Sequence, residues 1–192
     1  MNGLNSILSP FPIAGQFSKV SFEQFLEAMK DTHGGAYDEE KIRAIYDAIE
    51  LPTRATIGSA GYDFKSPIDF TLYPGRGIKI PTGIRAEIVP GWFLGLFPRS
   101  GLGFKYRLQL DNTCGIIDSD YARSDNEGHI FAKITNDSKE NKVLTVKAGD
   151  GFMQGIFLSY GLAVDDNAKG VRNGGFGSTD NSEHIVDFGA KE

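Results

Sequence analysis

Two regimes of hydrophobic periodicity divide the chain. Between Ser21 and Pro52, apolar residues recur at helical spacing: Phe22, Phe25, Leu26 and Met29, then Ile42, Ile45, Tyr46 and Ile49. Positions i, i+3, i+4 and i+7 share one face of an α-helix, so each set predicts a short amphipathic helix. Ser21 with Gln24 has the form of a capping box, and Val20 with Phe25 that of its hydrophobic staple. Asp38, Glu39 and Glu40 open the second helix with the charge its dipole favours, and Pro52 closes it. His33-Gly34-Gly35 supplies the turn between them. Both stripes read as packing surfaces.

From about Thr53 the period falls to two. Ile78 and Ile80, then Ile84, Ala86 and Ile88, alternate with Lys79, Arg85 and Glu87; Ile130, Ala132 and Ile134 repeat the pattern. The run Trp92 to Phe97 is apolar on both faces, as in a strand covered on both sides. Val143 to Val146 and Phe152 to Leu158 read as further strands, with Pro-Gly, Gly-Asp and Asn-Asp breaks between elements. No helical segment of useful length is expected in this region. The fold class is all-β, a sandwich or jelly roll of short strands. Three parts follow: a helical extension over 1–52, a β core over 53–164, and a C-terminal arm over 165–192 that is too rich in glycine to be core.

Composition narrows the chemistry. The 192 residues carry 24 glycines, which suits many tight turns, and a net charge of −5, which offers no nucleic-acid groove. A polyanionic ligand would have to be held by a few local arginines and a divalent cation. Cys114 is the single cysteine, so an internal disulfide and a multi-thiolate metal site are both excluded; a small buried hydrophobe is its expected role. His33, His129 and His184 are scattered, which disfavours zinc chemistry. There is no basic leader and no apolar run long enough to span a bilayer, so a cytoplasmic protein without a membrane partner is expected.

Three segments carry candidate chemistry. Pro98-Arg99-Ser100-Gly101 follows a buried strand and brings together a guanidinium, a hydroxyl and backbone N–H groups, all suited to phosphate. Alone, it reads rather as a β-turn with a surface arginine. Asp118, in Gly115-Ile-Ile-Asp-Ser-Asp-Tyr121, could orient a water and accept its proton, or cap its own turn. The arm offers Arg172, Ser178, Thr179 and one aromatic, Phe176, among glycines: donors for phosphate and a ring for stacking on a base.

Five segments, in order, resemble the five signature motifs of the trimeric dUTPase family. They are Ala60-Gly-Tyr-Asp-Phe64, Pro98-Arg-Ser-Gly-Leu-Gly103, Gly115 to Tyr121, Gly149-Asp150 through Gln154, and Arg172 to Thr179. The resemblance implies a distorted jelly roll that assembles as a homotrimer with shared active sites and cleaves dUTP to dUMP and pyrophosphate. It makes Asp118 the general base. Arg99, Ser100, Gly101 and Gln154 would contact the triphosphate, which itself would chelate Mg²⁺, with Asp63 as indirect support. A hairpin from Asn112 to Asp118 would read uracil through Asn112 and the backbone of Gly115, Ile116 and Ile117. Tyr121 would pack under the deoxyribose. Phe176 would stack on uracil while Arg172, Gly177, Ser178 and Thr179 close over the phosphates.

The chain departs from the motifs in places. Gly151 stands where the family has arginine, and Asp180 where it ends on glycine. The loop Ala122 to His129 is longer than in short members; its polar composition predicts a solvated, mobile segment dispensable for chemistry. Two other functions fit parts of the sequence. One is a dCTP deaminase-like or bifunctional enzyme, the other a dUTPase scaffold acting as a regulatory binding protein through its helices and long loop.

Overall fold

The computed structural model describes residues 11–170. Strand β1 (Gly15–Lys19) precedes the helices α1 (Phe22–His33) and α2 (Glu39–Ala48). Ser21 caps α1 by accepting the Gln24 N–H, and Asp38 caps α2 by accepting that of Lys41. Gly34 ends α1 in the left-handed conformation that glycine adopts without steric cost. The capping box is only half formed, since the Ser21 N–H is taken by the Glu127 carboxylate and not by Gln24. Phe22, Phe25, Met29, Ile42 and Ile45 close on one another and on Ile68, forming a small core of their own.

The β region runs β2 (Thr53–Arg54), β3 (Tyr62–Lys65), β4 (Phe70–Leu72), β5 (Gly77–Pro81), β6 (Ile84–Ile88) and β7 (Trp92–Pro98). A short helix α3 (Ser100–Tyr106) follows, then β8 (Leu108–Leu110), β9 (Gly115–Ile117), β10 (Phe131–Asn136), β11 (Leu144–Val146) and β12 (Gly151–Ser159). The largest sheet orders β2-β3-β12-β7-β9; β5-β10-β8 form a second, and β11-β4 and β1-β6 two small ones, all antiparallel. This is the expected all-β jelly-roll class. β7, apolar on both faces, lies between β12 and β9, and Leu94 and Leu96 are fully buried in the main core.

Three readings need correction. The region is not free of helix: α3 starts at the phosphate-type turn, and its two glycines, Gly101 and Gly103, hide it from propensity. Residues 1–52 are not helical throughout, because β1 pairs with β6 from Gly15↔Ile88 to Lys19↔Ile84. Its Phe17 joins Tyr62, Phe64 and Phe157 at ring separations of 5.3, 5.7 and 5.4 Å, so the segment belongs to the sandwich.

The third concerns the 122–129 loop, which is no solvated segment. Ser124, Gly128 and His129 are buried. Glu127 accepts from Ser21 N and Oγ at 2.8 and 2.6 Å, and the His129 Nε2 accepts the Gly83 N–H at 2.9 Å. Burial works against ionisation of Glu127, yet the two Ser21 bonds, helped by Arg85, hold its carboxyl below the usual range. Burial also pushes His129 down from 6.5 to about 3. Between those values the unfolded chain binds a proton that the folded chain refuses. Folding stability present above pH 6.5 is therefore lost on acidification, by up to about 1.4 kcal/mol per pH unit. Denaturant titrations at pH 7 and pH 5 should show this loss. His129→Gln, whose amide can still accept from Gly83, should flatten it.

Candidate active site

Sheet register gathers the first group. Gln154 of β12 lies opposite Asp63 on one side and Phe97 on the other. Directly opposed residues share a sheet face, and Arg99 sits two residues beyond Phe97 on that same face. The contacts agree. Arg99 Nε is 3.3 Å from Asp63 Oδ1, its Nη1 donates to the Gly151 carbonyl at 3.4 Å, and Gln154 Nε2 donates to the Pro98 carbonyl at 3.3 Å. Ser100 and Gly101 open α3 and are exposed. The first N–H groups of a helix have no intrahelical partner, so they too face outward as donors.

Two glycines let these side chains pack close against the backbone. A Cβ on Gly61 would collide with the Gln154 amide, and one on Gly151 would lie 2.8 Å from Arg99 Nη1. Gly151 thus leaves the space over which Arg99 leans.

The second group lies elsewhere. Asn112 is exposed on a tight turn, closed by the Thr113 N–H to the Leu110 carbonyl at 2.8 Å with Thr113 at φ 67°. β8 and β9 do not pair as a hairpin: β8 joins β10 and β9 joins β7, so this turn passes between sheets. Gly115 and Ile117 are buried and Ile116 is exposed. Cys114 is half-buried at the turn, less enclosed than its composition-based reading. Asp118 follows β9, half-buried, and its carbonyl accepts the Tyr121 N–H at 3.1 Å. Tyr121 is buried; its hydroxyl donates to the His129 carbonyl at 2.9 Å and accepts from Asn126 Nδ2 at 2.9 Å. Asn126 escaped sequence reasoning; Asn-Glu-Gly in a polar loop reads as turn chemistry and names no partner. Arg172, Phe176, Gly177, Ser178 and Thr179 lie outside the described residues.

The two groups sit at opposite ends of one strand. Ile117 pairs with Leu94, which puts Asp118 beside Phe93, while Arg99 follows Pro98. Six residues of strand at ~3.3 Å each separate them by roughly 20 Å. One copy of the chain cannot present both to one phosphate group.

An arginine, a hydroxyl and a helix start at the end of a central strand equip an all-β protein to hold phosphates. The family model for dUTPase matches residues 47–180. The dUTPase of Lactococcus lactis subsp. lactis is 39% identical over 134 residues, covering 68% of this chain and 88% of that one. The crystal structure of a dUTPase from Streptococcus mutans superposes with a TM-score of 0.53 at 38% identity, covering 60% of this chain and 89% of its own. A mutant dUTPase of phage phi11 of S. aureus, described for its coordination of a structural Mg(II) ion, shares the fold at a TM-score of 0.52 and 20% identity, over 63% of this chain and 90% of its own. The chain belongs to the dUTPase family. Among the described residues no helix is long and apolar enough to cross a membrane.

Proposed function

We propose that the chain hydrolyses dUTP to dUMP and pyrophosphate, with Asp118 as general base. The observation that carries this reading is the Arg99–Asp63–Gln154 cluster at the end of β7, in a chain of the dUTPase family. Arg99 supplies charge-assisted donors, Ser100 a hydroxyl, and the start of α3 backbone N–H groups for the triphosphate. Magnesium enters as Mg·dUTP. The cluster suits a metal that arrives on the phosphates, because its carboxylate, Asp63, is already paired with Arg99.

In the chemical step a water oxygen bonds to the α-phosphorus as the bond to the bridging oxygen breaks. Pyrophosphate leaves, and the water proton passes to Asp118. Asn112 and the backbone of Gly115, Ile116 and Ile117 read uracil. The Tyr121 ring lies against the deoxyribose and excludes a 2′-hydroxyl. The arm residues Arg172, Phe176, Gly177, Ser178 and Thr179 close the site. Positioning and charge neutralisation carry such reactions, so an acidic chain with a few placed arginines suffices.

The separation of Asp118 from Arg99 supports a homotrimer in which each site combines the β7 end of one subunit with the Asp118 turn of another. Pyrophosphate release with dUTP, UTP, dTTP and dCTP, each with and without Mg²⁺, tests the activity. Selective, Mg²⁺-dependent turnover of dUTP is expected. Comparable turnover of UTP or dTTP would overturn the reading, and ammonia release from dCTP would point to deamination.

A further inference from the structure

The Tyr121 ring is held by the long loop that follows it. Its hydroxyl donates to the His129 carbonyl and accepts from Asn126 Nδ2, both at 2.9 Å. The Asn126 amide cannot turn freely, because its Oδ1 accepts the Gly128 N–H at 3.1 Å, which leaves Nδ2 facing the phenol. Gly128, at φ 73°, sits so close to Tyr121 that a Cβ there would lie 2.9 Å from the Tyr121 carbonyl oxygen. Between them Glu127 adopts φ 58°, a left-handed conformation unusual for a residue with a Cβ. An unfavourable backbone geometry persists where surrounding contacts over-determine it. Here the contacts come from α1, whose Ser21 N–H and Oγ both bond the Glu127 carboxylate. A continuous chain of bonds therefore runs from the start of the helical pair through Glu127 and Asn126 to the Tyr121 hydroxyl.

We propose that Asn126 is a positioning residue for the Tyr121 ring, setting discrimination between deoxyribose and ribose, and that Ser21 steadies it by anchoring Glu127. The inference rests on the reading that Tyr121 lies against the sugar. A ring that excludes a single hydroxyl works by tenths of an ångström, and a phenol bonded on both sides of its oxygen cannot tilt to admit one. Asn126 touches no substrate in this arrangement; it acts through the phenol.

The test is the ratio of kcat/KM for dUTP to that for UTP, measured on the full chain with its assembly state checked. Asn126→Ala should lower the ratio by about 10-fold or more, the scale at which a pocket resolves one small group. Ser21→Ala should lower it in the same direction by a smaller factor. Tyr121→Phe keeps the ring and removes the bonded oxygen, so Asn126→Ala added to it should change the ratio little further; this coupling separates positioning through the phenol from general loosening. If Asn126→Ala misfolds, Ser21→Ala carries the test, since it removes a single half-buried hydroxyl, the one that bonds Glu127 and caps α1. An unchanged ratio in correctly assembled variants, or effects of Asn126→Ala and Tyr121→Phe that simply multiply, overturns the inference while leaving dUTP hydrolysis intact. A parent that hydrolyses UTP as well as dUTP would instead overturn the reading beneath it.

Discussion

Asp118→Asn should lower kcat for dUTP by at least ~10²-fold while leaving nucleotide affinity within a few-fold, the pattern expected when a positioned base is removed. Asparagine is nearly the same size and keeps the turn, whose Asp118 carbonyl holds the Tyr121 N–H. Its amide can still hydrogen-bond a water but cannot take the proton. The phosphate-binding groups lie at the far end of β7, and the proposed uracil contacts are the Asn112 amide and backbone groups that the substitution leaves in place, so the ground-state complex should survive. Single-turnover rates, paired with calorimetric titration of a non-hydrolysable dUTP analogue, separate the two quantities. A near-normal single-turnover rate would show that another group activates the water.

Mixing two inactive variants should restore activity. Asp118→Asn subunits retain Arg99, and Arg99→Ala subunits retain Asp118. If each site draws these residues from different copies, cyclic symmetry leaves one complete site in every mixed trimer. Random reassembly from equal amounts should then recover about a quarter of the parent activity. If each subunit carried its own site, no mixture could exceed the variants alone. Mixed trimers that form, as shown by native mass spectrometry, yet stay inactive would refute the shared site. The register of β9 on β7 places the two residues at opposite strand ends.

Local patterns exposed the local features. Helical spacing located α1 and α2, and Ser21 and Asp38 do cap them, because caps and stripes are written within a few residues. The apolar run Trp92 to Phe97 likewise marked β7, whose Leu94 and Leu96 are buried in the main core. The features that escaped depend on distant partners. β1 is five residues without a clean alternation, and it becomes a strand only on meeting β6 about seventy residues later. Polar Glu127 reads as solvated until Ser21, 106 residues away, is brought to it. The motifs pointed to Arg99, Asp63 and Gln154, but their common face follows from register between strands far apart in sequence. The resemblance likewise implied a hairpin at Asn112, whereas β8 and β9 part to different sheets, a choice set by their distant partners β10 and β7.

Strand β1 also bears on how the protein avoids unwanted association. β6 has β1 as its strand partner, and without it a row of backbone N–H and C=O groups, backed by the apolar Ile84, Ala86 and Ile88, would open to solvent. Such an uncovered margin is a template for any extended chain that drifts past. A chain trimmed back to Val20, though it keeps both helices and every residue of the β7 cluster, would carry that margin on each copy. The segment that looks most expendable in an alignment of motifs is thus the guard that keeps neighbouring molecules from stitching together.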